Sequence, residues 1–170
     1  EIVAEMTKRF GYKNVHMVPK LEKIVINSGV STARERDVQT ETMNTLAAIT
    51  GQKAIPTIAR KSVAGFKIRE GQTIGAKVTL RNKYMYEFLC RLVNNALPRV
   101  RDFRGIKTSG FDGFGNYTMG VTDQSIFTEI DLDKIKHQIG MNITFVTSAK
   151  NDEEGRALLE LLGMPFAKSE

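Results

Sequence analysis

Residues 76–81, Ala-Lys-Val-Thr-Leu-Arg, alternate without a break, and this alternation constrains the fold more than any other feature of the chain. Ala76, Val78 and Leu80 fall on one side of an extended backbone; Lys77, Thr79 and Arg81 fall on the other. Successive strand side chains point to opposite faces, so this is a half-buried strand with a cationic outer face. The stretch before it is of another kind. Ala59-Arg60-Lys61-Ser62-Val63-Ala64-Gly65-Phe66-Lys67-Ile68-Arg69 gathers four cations, with Ser62 and Gly65 breaking any regular pattern. Gly71 and Gly75 then punctuate the approach to the strand. A basic, glycine-flanked loop over about 60–75 therefore leads into a strand whose exposed face is also basic, a surface suited to polyphosphate.

The remaining segments supply more strands and the helices to cover them. Leu21 to Ser28 reads as a strand, with Ile24 and Ile26 on one side, Lys23, Val25 and Asn27 on the other, and Gly29 ending it. Tyr117, Met119 and Val121 alternate, as do Met141, Ile143 and Phe145. Ala54 to Ala59 is a short strand that Pro56 confines to an edge or an irregular position. Helical spacing marks residues 1–10, closed by Gly11. A second helix buries Val38, Thr42, Leu46 and Ile49, opened by a Thr32–Glu35 capping box or by Asp37, with Gly51 as a left-handed cap. A third, over 83–97, has Asn82 as its cap and Met85, Phe88, Leu89, Leu92 and Ala96 as its stripe, up to Pro98. A fourth has Asn151 as cap, Glu154 closing the box, acids in the first turn, Leu158, Leu159, Leu161 and Leu162 as its apolar face, and Gly163 then Pro165 at its end. Residues 122–140 read as loop and short turns around Ile126, Phe127 and Ile130. Strands and helices intermix without regular βαβ alternation, so the fold class is α+β with a mostly antiparallel sheet. A chain of 170 residues suits a single domain over 1–170.

Charge is segregated along the chain. Residues 53–107 carry thirteen Lys/Arg against three Asp/Glu, net +10, while residues 108–170 carry five against ten, net −5. This places one surface against nucleic acid and another against solvent or a basic protein. One cysteine, Cys90, allows no internal disulfide and no cysteine metal cluster, which suits a reducing compartment, and a structural thiol is its expected role. No apolar run approaches membrane-spanning length, and Glu1 to Met6 does not read as a secretory signal.

The outward-facing residues Lys23 and Asn27, Lys77, Thr79 and Arg81, and the turn Gln52-Lys53 form one continuous polar face if the two strands are neighbours. Asn, Gln and Thr exchange hydrogen bonds with ribose hydroxyls, and Lys and Arg neutralise phosphates. The plainer reading is a solvated open sheet face. Aromatics that would stack single-stranded bases are missing at these positions, which favours recognition of a folded A-form RNA by shape. Gly110 to Gly115 does not match G-x-G-x-x-G and reads as a tight loop. His16 and His137 have no ligand-spaced partners, so no metal or catalytic site is expected; Asp152-Glu153-Glu154 reads as helix capping. No cofactor is expected. An RNA-processing enzyme would need a convergent acid–base set that the sequence does not display, and a free-standing RNA chaperone is a further reading.

Several ordered blocks carry a resemblance. Glu22 to Val30, Gly51-Gln52-Lys53, Ala59 to Arg69 and Lys77 to Arg81 resemble the bacterial large-subunit ribosomal protein five family, the 5S rRNA-binding protein. So do Arg99 to Gly105, Phe111 to Tyr117 and Asp152 to Leu159. Residues 31–45 match weakly. The resemblance implies a sheet with helices on one side and a protruding basic loop, in the ribosome of the cytoplasm. It implies binding to 5S rRNA in the central protuberance, alongside other 5S-associated large-subunit proteins. Contacts with 23S rRNA, with P-site tRNA through the loop, and with a small-subunit head protein at an intersubunit bridge are implied too. Asn27, Gln52 and Thr79 are the implied 5S contacts; Lys23, Lys53, Lys77 and Arg81, from the outward-facing set, complete the expected 5S site; Arg60, Lys61, Ser62, Gly65, Lys67 and Arg69 form the implied tRNA-contacting loop. That loop is expected to be mobile in the isolated protein, because it offers little apolar surface to offset its ordering entropy.

Overall fold

The computed structural model describes residues 1–30 and 36–167. Its elements follow in the order α1 (Ile2–Phe10), β1 (Leu21–Gly29), α2 (Arg36–Thr50), β2 (Ile55–Ile58), β3 (Thr73–Leu80), α3 (Asn82–Arg91), β4 (Tyr117–Val121), β5 (Met141–Thr147) and α4 (Asp152–Leu161), with short 3-10 turns between them. The strands form one antiparallel sheet in the order β2-β3-β1-β5-β4.

Register explains why one face is dry. Leu80, Ile24, Phe145 and Tyr117 lie opposite one another in a row across four strands. Val78, Ile26, Ile143 and Met119 form the next row. Seven of these eight are buried, Met119 only partly. Removing each of the central isoleucines from water contributes roughly 2–3 kcal/mol. Helix α2 packs against β3 and α3 against β1 on this side. Helix α4 reaches the same core through Leu159, while its Leu158 and Ala157 hold Met6 of α1 in a smaller second cluster.

The helix ends test local chemistry. The α2 stripe is buried as expected, and Gly51, at φ 72°, closes the helix with its N–H on the Ala47 carbonyl. The Thr32–Glu35 box lies outside the described residues. For α3 the expected Asn82 cap is replaced: Arg81 occupies the cap position without a side-chain bond, and Asn82 itself sits at φ 52°. Asparagine tolerates that left-handed conformation, so it serves here as a backbone turn. The helix does not run evenly to 97 either. It widens into a π-helical turn over Leu92–Ala96 and tightens into a 3-10 turn over Leu97–Arg99, where Pro98 is accommodated at the start. Leu92 and Ala96 stay buried across the change. In α4, Asn151 accepts from the Glu154 N–H at 2.9 Å, but the Glu154 carboxylate returns to the Lys150 N–H rather than to that of Asn151. Pro56 sits in β2 at the sheet edge, where a missing donor costs least.

Candidate nucleic-acid interface

The face opposite the helices is built from the other half of each strand. Asn27 lies between Lys77 of β3 and Asn142 of β5, and Asn142 is in turn opposite Gly120 of β4. One step along, Val25 lies between Thr79 and Thr144, and Thr144 opposes Thr118. Lys23 lies opposite Val146, and Arg81 is exposed at the end of β3. The structure therefore brings Lys23, Asn27, Lys77 and Thr79 onto one surface, with Arg81 at its border. Gln52 reaches the same border by another route: its Nε2 donates to the Thr79 carbonyl at 3.1 Å, beyond the start of the shorter β2. Lys53, next in the chain, is exposed.

The composition of this face has electrostatic consequences. None of the residues paired on this face from Lys23 to Asn27 in β1, or in the other four strands, is a carboxylate; Glu22, exposed in the bulge that opens β1, is the one acid among the strand residues. None is aromatic. Among the described residues, no ion pair engages Lys23, Lys77 or Arg81. A sheet of unpaired cations interleaved with amides and hydroxyls attracts polyanions and offers donors and acceptors at close range.

The segment between β2 and β3 exposes Arg60, Lys61, Ser62, Gly65, Lys67 and Arg69 together. Its backbone is more regular than its composition suggests. Val63 and Ile68 exchange N–H to carbonyl bonds of 2.9 and 3.1 Å around a 3-10 turn at Ala64–Phe66, and Lys67 takes φ 55° to close it. Ala59 bonds to Gln72 and Gly71 at the base. The Ser62 hydroxyl accepts from the Glu70 N–H at 2.9 Å, so it ties the loop as well as facing outward.

Other groups singled out by sequence fall elsewhere. Arg99, Arg101, Arg104 and Lys107 line a cleft of about 910 Å³ against β4, at the sheet edge opposite β2. Asp102 and Asp123 line it as well, and it lies apart from the basic loop between β2 and β3, at the other edge of the sheet. Tyr117 borders it; burial pushes its phenol up to about 12, and its hydroxyl donates to the Lys107 carbonyl at 2.6 Å. The glycine loop is held from within. The Asp152 carboxylate accepts from the Gly113 and Gly115 N–H groups at 2.9–3.1 Å. Asp112 accepts from the Asn116 side chain and the Phe114 and Asn116 N–H groups. The Asn116 amide and the Phe114 N–H hold the Asp112 carboxyl below its usual value. The donors a phosphate would need are thus occupied. His137 bonds through Nδ1 to Glu41 at 2.9 Å, while His16 lies exposed in a turn. Partial burial raises the Glu41 carboxyl, but His137 and the Lys136 and His137 N–H groups outweigh it and leave it lowered. Cys90, expected to be a structural thiol, is exposed and accepts from the Asn94 amide at 3.2 Å. Thr118, Asn142 and Thr144, the open-face residues of β4 and β5, are not among the sites expected from sequence. Alternation is the signal that marks them; the strand order, which makes them part of this surface, is not written in it.

Comparison with known proteins finds a ribosomal family. Residues 14–69 match the family described as Ribosomal protein L5, and residues 73–166 match the C-terminus of the same ribosomal family. A large ribosomal subunit protein uL5 of Caldanaerobacter subterraneus is 59% identical over 169 residues, covering 99% of this chain and 94% of the relative. That of Geobacter sulfurreducens is 59% identical over 167 residues, covering 98% and 93%. That of Borreliella burgdorferi is 57% identical, covering 98% and 92%.

Proposed function

The chain belongs to the ribosomal protein L5 family, and from that premise we propose that its open sheet face binds 5S rRNA. The protein is a structural, non-enzymatic constituent of the large ribosomal subunit and works in the ribosome of the cytoplasm. Among the described residues, no helix is long and apolar enough to cross a membrane.

The observation that carries the reading is the carboxylate-free, aromatic-free face on which Lys23, Asn27, Lys77 and Thr79 converge. Cations on such a face neutralise phosphates, and the intervening amides and hydroxyls fix register on the RNA. The Gln52 bond to the Thr79 carbonyl holds the end of β3 and leaves the Gln52 side-chain oxygen for an RNA donor. Lys53 and Arg81 supply charge at the border. Helping to seat 5S rRNA in the central protuberance, next to other 5S-associated proteins, is the role this binding serves. The basic loop carrying Arg60, Lys61, Ser62, Gly65, Lys67 and Arg69 stands off that face and meets P-site tRNA. The remaining surface contacts 23S rRNA and a small-subunit head protein. These assignments rest on the family and on the distribution of charge.

The test is filter binding of 5S rRNA to the Thr79→Val variant. Valine keeps strand propensity and shape but removes the hydroxyl, so an RNA group left unpaired in the interface costs roughly 1–3 kcal/mol. The salt dependence should not change, because no charge is lost. An unaltered dissociation constant would remove the open face from the 5S interface.

A further inference from the structure

The open face does not end at β1. Beyond it, β5 and β4 continue the same surface with Asn142, Thr144, Thr118 and Gly120, and with no charge at all. The Thr118 and Thr144 hydroxyls lie 3.0 Å apart, so one donates to the other and the pair retains a free proton and lone pairs toward the outside. Asn142 is exposed, and the next strand presents only the backbone of Gly120 beside it. A shallow depression of about 420 Å³ opens there, lined by Asn27, Gly29, Gly120, Gly140 and Asn142.

The sheet face is therefore divided. Lys23, Lys77 and Arg81 charge the β1–β3 half; on the β4–β5 half Val146, opposite Lys23, is apolar, and amides, hydroxyls and bare glycine backbone make up the rest. From β3 to β4 there are three inter-strand steps, roughly 14 Å. An A-form helix laid across this face presents phosphates at one side of its minor groove and ribose 2′-hydroxyls within it. We propose that the β4–β5 half, through Asn142, Thr144, Thr118 and the depression at Gly120, reads the ribose 2′-hydroxyl edge of the RNA whose phosphates the β1–β3 half holds. Charge complementarity fixes the class of partner: Glu22, in the bulge at the start of β1, is the one carboxylate among the strand residues, and only the cationic half of the face needs phosphate. The proposal rests on the open-face reading and adds two strands to it.

Gly120 offers the sharpest test. A Cβ built there meets only the Asn142 side chain, at 3.6 Å, an ordinary contact, and its φ needs no glycine. A β-branched residue also suits a strand better than glycine does. Gly120→Val should keep or raise the melting temperature while weakening 5S rRNA binding about tenfold or more, because the new side chain projects from the face into the depression. Asn142→Ala with Thr144→Val should weaken it by about the same factor with an unchanged salt slope. Hydroxyl-radical footprinting of 5S rRNA should show a set of minor-groove riboses protected by the native protein and re-exposed by both variants, while other protections persist. If both variants bind and protect like the native protein while Thr79→Val is impaired, the inference is overturned and the open-face reading stands. If Thr79→Val is also unimpaired, the reading itself fails and takes the inference with it.

Discussion

At the scale of single residues, close contacts outweigh intrinsic preference. Gly155 lies inside α4, where alanine alone would favour the helix by about 1 kcal/mol. Its Cβ, however, would stand 2.4 Å from the Gly115 carbonyl oxygen. Gly155→Ala should therefore destabilise the protein, by about 1–3 kcal/mol, in a denaturant titration; a stabilised variant would mean that the glycine loop yields. Asp112 gives a pH-dependent case. Its carboxyl titrates below its ordinary value of 3.8 because it accepts from Asn116 and Phe114. A carboxylate lowered in this way adds stability above its unfolded value and loses it as pH falls through the folded one. The difference in melting temperature between native protein and Asp112→Asn should be present at pH 6, corresponding to about 0.5–1 kcal/mol in so exposed a loop. It should shrink as pH falls below about 3.8 and close once the folded carboxyl, lowered from that value, is protonated; a constant difference would show that the carboxylate charge is not what the loop uses. Asn151 is legible as a cap because its target lies three residues on. The second role of Asp152 is not, since Gly113 lies 39 residues away and only the fold brings them together.

At the scale of elements, alternation makes the strands legible wherever one face is buried. Period alone also locates the buried stripes of α2 and α3. The π turn at Leu92–Ala96 escapes because a widened turn keeps the same residues inward. Strand order escapes for a deeper reason. Alternation says which side of a strand is wet, not which strand is its neighbour, so the polar face legible in the sequence covers β1 and β3 alone. The loop between β2 and β3 is legible by charge, while its internal Val63–Ile68 pairing is not. Since Ala59 pairs with Gly71 and Gln72 below that turn, removing Ser62 to Lys67 should leave the sheet closed. Such a variant should bind 5S rRNA nearly as well as the native protein, yet release P-site tRNA faster from reconstituted ribosomes. Loss of 5S affinity with normal tRNA retention would reverse the two assignments.

At the scale of the whole molecule, the two family segments meet at residues 69 and 73, within the turn that leads into β3. Strand β3 then pairs with both β2 and β1, and β1 with β5. Each segment thus completes the sheet of the other, and we propose one domain over 1–170. Unfolding followed by probes in α2 and in α4 should give coincident transitions; separated midpoints would mean two units. The charge excess of residues 53–107 is also distributed by the fold, between the open face, the loop and the cleft beside β4. The proposal that the open face holds 5S rRNA is tested most directly by lysine acetylation followed by mass spectrometry, which does not alter the sequence. Lys23 and Lys77 should be protected when 5S rRNA is bound, while Lys8 on α1 and Lys134 in the turn after Leu132 should react as before. Equal reactivity of Lys23 and Lys77 with and without the RNA would contradict the account.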